Sequence, residues 1–189
     1  MAKNEGILFY VVGASGSGKD SLMSYARKRL AGNARVVFAH RYITRVADAG
    51  GENHVALTES EFSSRVQAGL FAMYWHTHDQ EYAIGKEINF WLAKGCNVVM
   101  NGSREYLPCA REQYPELCPI WIQVSPKVLE LRLRARARES DEQIHERLLR
   151  AAAFKVPYGD LVIHNDGALE DAGEKLAMLV SPTAISVCA

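Results

Sequence analysis

The chain has no surplus of charge of either sign. Its 189 residues carry 22 lysines and arginines against 22 aspartates and glutamates, for a formal net charge of zero. Nucleic-acid and membrane-surface proteins ordinarily carry a basic excess, so the balance argues against both classes. Long apolar runs are missing too: no stretch approaches the ~18 apolar residues expected of a membrane-crossing helix. The start does not resemble a secretory leader, because Lys3 and Glu5 precede an apolar run that ends in a glycine loop. A cytosolic protein is expected. Cysteine is sparse, and Cys96, Cys109, Cys118 and Cys188 show neither paired metal-ligand spacing nor a redox CxxC. Free thiols in or near the core are the expectation. Repeats and low-complexity segments are absent as well. What remains, 48% hydrophobic residues, suffices for one well-buried core, expected as a single domain over 1–182 with a loose tail over 183–189.

Ile7 to Val12 is a continuous apolar run stopped by glycine, the pattern of a central strand in a parallel sheet. Lys19 to Leu30 follows as a helix, with Leu22, Met23, Ala26 and Leu30 at helical spacing. Arg35 to Ala39 reads as a second strand, and the polar segment Thr44 to Asn53 as a loop. Thr58 with Glu61 three residues later predicts a capped helix start. Ile84 to Ala93 is expected to be helical, ending near Gly95. Asn97 to Asn101, Ile120 to Val124 and Leu161 to His164 are short apolar runs, each followed by a candidate helix. Strand and helix alternate throughout, which predicts an α/β fold: a mostly parallel open sheet with helices on both faces.

Chemistry enters between the first strand and the first helix. Gly13, Ala14, Ser15, Gly16, Ser17, Gly18 and Lys19 spell G-x-x-x-x-G-K. The glycines let the backbone fold tightly so that successive N–H groups point at phosphate oxygens, and the helix N-terminus adds partial positive charge. Lys19 can then reach the β- and γ-phosphates of a nucleoside triphosphate. A glycine turn made for packing alone would not need the lysine. After the lysine, where Ser or Thr normally ligates Mg²⁺, stands Asp20, followed by Ser21. A carboxylate is a hard oxygen ligand, so Asp20 is expected to hold Mg²⁺ directly or through water. The plainer alternative is a helix-start acid, favoured there by about 0.3–1 kcal/mol.

Arginines crowd the stretch from Leu131 to Arg150: Arg132, Arg134, Arg136, Arg138, Arg147 and Arg150. Helical spacing puts Arg132 and Arg136 on one face. Phosphoryl transfer needs positive charge around the moving group and exclusion of water, and a hinged segment over about 132–147 would supply both as a lid. A solvated helix with ion pairs to Glu130, Glu139, Asp141, Glu142 and Glu146 is the bland alternative. The phosphate loop upstream favours the lid.

The segments GASGSGKDS (13–21), AHRYITR (39–45), GGENHVALTESEF (50–62), NGSR (101–104), QVSP (123–126) and HNDGALE (164–170) together resemble the guanylate-kinase-like branch of the P-loop nucleoside monophosphate kinases. Within it the chain is similar to the family of ribose 1,5-bisphosphate phosphokinases of bacterial phosphonate breakdown. The resemblance implies ATP as donor with Mg²⁺, a small sugar phosphate as acceptor, 5-phosphoribosyl 1-diphosphate and ADP as products, and an acceptor-binding region over about 40–85. It makes Arg45 the arginine that grips the acceptor phosphate, with Tyr82 sharing the task. Lys19, Arg132, Arg136 and Arg147 are the expected catalytic cations. Gly13 to Ser21 would bind ATP, with Asn165 near the adenine.

The departures from guanylate kinase matter equally. Where those enzymes read guanine with carboxylates, this chain has Met73 and, after the strand ending at Met100, Asn101. A site lacking those acceptors is not built for guanine. Arg41 replaces a small hydroxyl residue and Arg104 adds a cation, both suited to an acceptor with two phosphates. The family's second acceptor-loop arginine falls at Asp48. His54 is a candidate for the sugar hydroxyls. His76 and His78 alternate along a strand but lack a third metal ligand, and Trp75, Trp91 and Trp121 read as core or pocket wall. Two rival readings stay open: a nucleoside monophosphate kinase acting on GMP, and a non-catalytic guanylate-kinase-like interaction module.

Overall fold

The computed structural model describes residues 6–46, 54–77, 79–135 and 140–182. In chain order its elements are β1 (Leu8–Gly13), α1 (Lys19–Arg29), β2 (Val36–Phe38), β3 (Arg41–Ile43), β4 (Val55–Ala56), α2 (Glu59–Gln67), β5 (Phe71–Thr77) and β6 (Gln80–Gly85). There follow α3 (Glu87–Ala93), β7 (Asn97–Asn101), α4 (Leu107–Gln113), β8 (Cys118–Gln123), α5 (Pro126–Ala135), α6 (Asp141–Ala153), β9 (Leu161–His164) and α7 (Leu169–Val180). The main sheet is parallel with strand order β2-β7-β1-β8-β9.

Alternation along β1 explains the layers. Phe9 and Val11 join Leu22 and Ala26 of α1 and Leu176 of α7 in one apolar cluster. Leu8, Tyr10 and Val12 join Ile88 of α3 and Leu107 of α4 in another. A strand buried on both faces must be covered on both, and the expected helices on either side supply the cover. The chain moves to one side of β1 for β2 and β7 and to the other for β8 and β9. The strand order therefore reverses at β1, the place where open α/β sheets hold ligands.

A second, four-stranded sheet of order β4-β3-β6-β5 stands beside the first. It corrects one expectation: Ile84 and Gly85 close a strand, and the helix begins only at Glu87. The reason is tertiary. Ile84 lies opposite Arg41 on β3 and Met73 on β5, and sheet pairing on both sides outweighs the helical pattern of a short apolar run. The expected loop over 44–53 is described only as far as residue 46, and Asp48 lies outside the described residues.

α2 starts as the sequence predicts. Thr58 Oγ1 accepts the Glu61 N–H at 3.2 Å, and Glu61 Oε2 accepts the Thr58 N–H at 2.8 Å. Thr58→Ala should therefore lower stability by about 1 kcal/mol, read as a shifted urea midpoint with unchanged slope. α5 and α6 pack through Leu129, Leu133 and Ile144, with Ala14 of the glycine loop against them. Cys96 and Cys109 are free thiols, but Cys118 is disulfide-bonded. This corrects the all-thiol expectation, since a pairing set by tertiary proximity leaves no mark in sequence spacing. Among the described residues, no helix is long and apolar enough to cross a membrane.

Candidate active site

β1 delivers the chain to Gly13, and the glycine loop turns back on two residues in the left-handed region, Gly16 (φ 91°) and Gly18 (φ 89°). Gly18 is required twice over: a Cβ there would be strained and would stand 2.5 Å from Asn165 Nδ2. The Ser17 N–H donates to the Ala14 carbonyl at 3.0 Å. α1 has no side-chain cap at its N-terminus, so its first amides remain directed at the mouth of the loop, a ready site for an anion. Lys19 folds its Nζ across the loop and donates to the Gly13 carbonyl at 3.2 Å.

Two elements far along the chain meet this loop. Asn165, just past β9 and 2% exposed, donates from Nδ2 to the Ser17 carbonyl at 2.7 Å. Its Oδ1 is buried without a partner. Arg132 on α5 donates to the Asn165 carbonyl at 2.8 Å and to the Ser17 carbonyl at 3.3 Å. Arg147 on α6 donates to Ser15 Oγ at 2.6 Å. Both α5 and α6 thus set an arginine on the glycine loop. The basic run is not uniform, however. Arg134 pairs with Glu130 Oε1 at 3.0 Å and with Asp141 across to α6, the solvated ion pairing foreseen as the bland alternative. Arg136 lies outside the described residues.

On the other side of the loop opens a cavity of about 270 Å³ whose walls include Lys19, Asp20, Arg41, Tyr82, Asn101 and Arg104, with Ser15 and Arg147 also bordering it. Arg41 lays its guanidinium over the Tyr82 ring at 5.0 Å, and Tyr82 stacks on Trp75 at 5.8 Å. Arg104 lies over the Phe154 ring at 4.0 Å. Burial, with Arg150 adding to it, pushes the Arg104 guanidinium below its ordinary range. Four cations against the carboxylates of Asp20 and Glu105 make this wall a receptor for anions.

Tyr10 is the contributor that sequence reasoning missed. Its buried hydroxyl donates to the Ser103 carbonyl at 3.0 Å and accepts the Ser103 N–H at 3.1 Å, and burial holds it protonated far above the usual range. A Cβ on Gly102 would stand 2.0 Å from the Tyr10 ring. Tyr10 and Gly102 therefore fix the turn that presents Arg104. The signal was visible only as glycine after Asn101 in NGSR.

Other expected residues sit apart. Ser21 is exposed on α1. Arg45 and His54 are not among the cavity's lining residues. His54, 8% exposed, pairs its Nε2 with the Arg45 carbonyl at 3.1 Å, which holds the segment after β3. The Arg45 Nε is buried without a partner. His76 pairs with Glu81 at 3.0 Å, and His78 is outside the described residues. Among the described residues no three His, Cys, Asp or Glu side chains cluster as metal ligands. Met73 is 1% exposed within the core beside Trp75.

No family model matches the chain. Its sequence is 62% identical over 179 residues to a protein of Thiobacillus denitrificans named ribose 1,5-bisphosphate phosphokinase PhnN, covering 94% of each chain. A protein of the same name from Chromobacterium violaceum is 55% identical over 93% of this chain and 94% of its own. Among solved structures, a guanylate kinase from Anaplasma phagocytophilum aligns with a TM-score of 0.69 at 16% identity, over 100% of this chain and 91% of its own. At that identity the likeness is one of fold. By its closely similar relatives, the chain belongs to the ribose 1,5-bisphosphate phosphokinase family of kinases, built on the fold seen in guanylate kinases.

Proposed function

We propose that the chain transfers the γ-phosphoryl group of ATP to the 1-phosphate of ribose 1,5-bisphosphate. An oxygen of that phosphate bonds to the γ-phosphorus, the bond to the β–γ bridging oxygen breaks, and 5-phosphoribosyl 1-diphosphate and ADP leave. The observation that carries the reading is the cavity wall. Lys19, Arg41, Arg104 and Arg147 converge on it, while the two positions where a guanine reader keeps carboxylates hold Met73, buried in the core, and Asn101.

The glycine loop and Lys19 cradle the donor phosphates. Arg132 and Arg147, already seated on the loop, add charge where it develops between donor and acceptor. Arg41 and Arg104, both on the cavity wall, hold the acceptor. Asn165 secures the donor end of the loop beside Arg132. The residues also fit Mg²⁺: Asp20 offers a carboxylate and Asn101 a buried, unpartnered amide oxygen at the same mouth. When bound, the ion would neutralise charge on the β- and γ-phosphates.

The test is ADP release measured with ribose 1,5-bisphosphate, with GMP and with no acceptor. The sugar bisphosphate should give a kcat/KM at least about 100-fold above that for GMP, because guanine finds no paired carboxylate. Efficient GMP turnover would overturn the substrate assignment and leave the donor site standing. Absence of turnover with either acceptor would return the chain to the class of binding modules.

A further inference from the structure

P-loop enzymes ordinarily hold their metal with a Ser or Thr hydroxyl directly after the loop lysine and with an aspartate at the tip of a neighbouring strand. This chain departs at both places at once. The residue after Lys19 is Asp20, the second residue of α1. One of the two strands hydrogen-bonded to β1 is β7, in register Val11↔Asn101, and its last residue is Asn101. The two departures touch: Asn101 Nδ2 donates to Asp20 Oδ1 at 2.7 Å. The amide orientation follows from chemistry, since a carboxylate only accepts.

We propose that Asp20 and Asn101 are a transposed metal-holding pair, in which the carboxylate has moved from strand to helix and the neutral oxygen from helix to strand. Site charge is conserved by the exchange, one carboxylate and one neutral oxygen donor in either arrangement. Asn101 has two tasks in it. Its N–H orients the carboxylate. Its Oδ1 is without a partner in a side chain only 3% exposed, on a residue that lines the same cavity as Lys19, and is left for the cation or one of its waters. An unpartnered buried amide oxygen is costly unless a ligand completes it. The inference rests on the proposed ATP chemistry but not on the acceptor, since both groups lie on the donor loop and its neighbouring strand.

The experiment measures the affinity of a non-hydrolysable ATP analogue by calorimetry, once in EDTA and once with saturating Mn²⁺, for wild type, Asp20→Ser, Asn101→Asp and the double variant. The EDTA arm reads the glycine loop alone, and the ratio of the two arms reads the metal. Asp20→Ser should cut the ratio by about 10-fold or more. Asp20→Ser with Asn101→Asp, which restores the ordinary arrangement, should recover most of it. Asp20→Asn, which keeps the size and can still pair with Asn101, guards against misfolding and should lose the ratio as Asp20→Ser does. A double variant no better than Asp20→Ser, or a full ratio in Asp20→Asn, would overturn the transposition. Absence of binding by wild type in both arms would instead count against the donor site itself, and no result of this assay bears on the acceptor.

Discussion

Replacing Lys19 with alanine should leave a folded protein whose turnover falls by about 100- to 1,000-fold, the loss expected when one preorganised charge at a developing anion is removed. The folded state should survive because Lys19 belongs to none of the apolar clusters. Its Nζ is held against backbone, on the Gly13 carbonyl, and the loop keeps its shape through the Ser17-to-Ala14 bond and the Asn165 amide on the Ser17 carbonyl. The loss should therefore appear mainly in kcat, with analogue binding weakened less, since charge on the transferred group grows on the way to the transition state. Circular dichroism and steady-state rates on the same preparation check both halves. Near-normal turnover would remove the phosphate loop from the mechanism.

Arg41→Ser should raise the KM for ribose 1,5-bisphosphate by about one to two decades, the 1.5–3 kcal/mol associated with a charge-assisted pair to phosphate. The KM for ATP should stay nearly unchanged. The geometry separates the two ligands: Arg41 starts β3 of the second sheet, on the cavity wall across from the glycine loop, and its guanidinium is positioned by the Tyr82 ring. Because the variant installs the small hydroxyl residue that guanylate kinases carry there, GMP should lose less than the sugar bisphosphate does. Paired KM values for the two acceptors, with ATP held saturating, decide it. An equal loss for both acceptors, or a loss falling on ATP, would take Arg41 out of acceptor selection.

The glycine loop proposed to hold the donor was legible because it is local. Strand, glycine loop, lysine and helix follow one another within Leu8 to Arg29, and each part carries its own physical signature. The Thr58 cap was legible for the same reason, its two hydrogen bonds spanning three residues. The proposed acceptor half draws on β3, β6 and the turn after β7, so the resemblance to guanylate kinases could nominate Arg41, Tyr82 and Arg104 but could not join them. Distance along the chain also hid the role of Tyr10, whose partner Ser103 is 93 residues away. It obscured the end of β6 too, where pairing with both β3 and β5 claimed Ile84 for the sheet.

By itself the sequence determined the α/β alternation, the glycine loop with its lysine and the cations available to it, because periodicity, glycine spacing and charge are properties of short windows. Only the tertiary structure decided which cations face one another. Arg132 and Arg147 came to rest on the glycine loop while Arg134, two residues from Arg132, turned to Glu130 and Asp141. Neighbours in a helix point in different directions, and which direction meets the glycine loop is set by how α5 and α6 pack over Ala14. The same packing logic brought Asp20 and Asn101, 81 residues apart, within one hydrogen bond, since parallel pairing of β1 with β7 ends both strands at the mouth of the same loop.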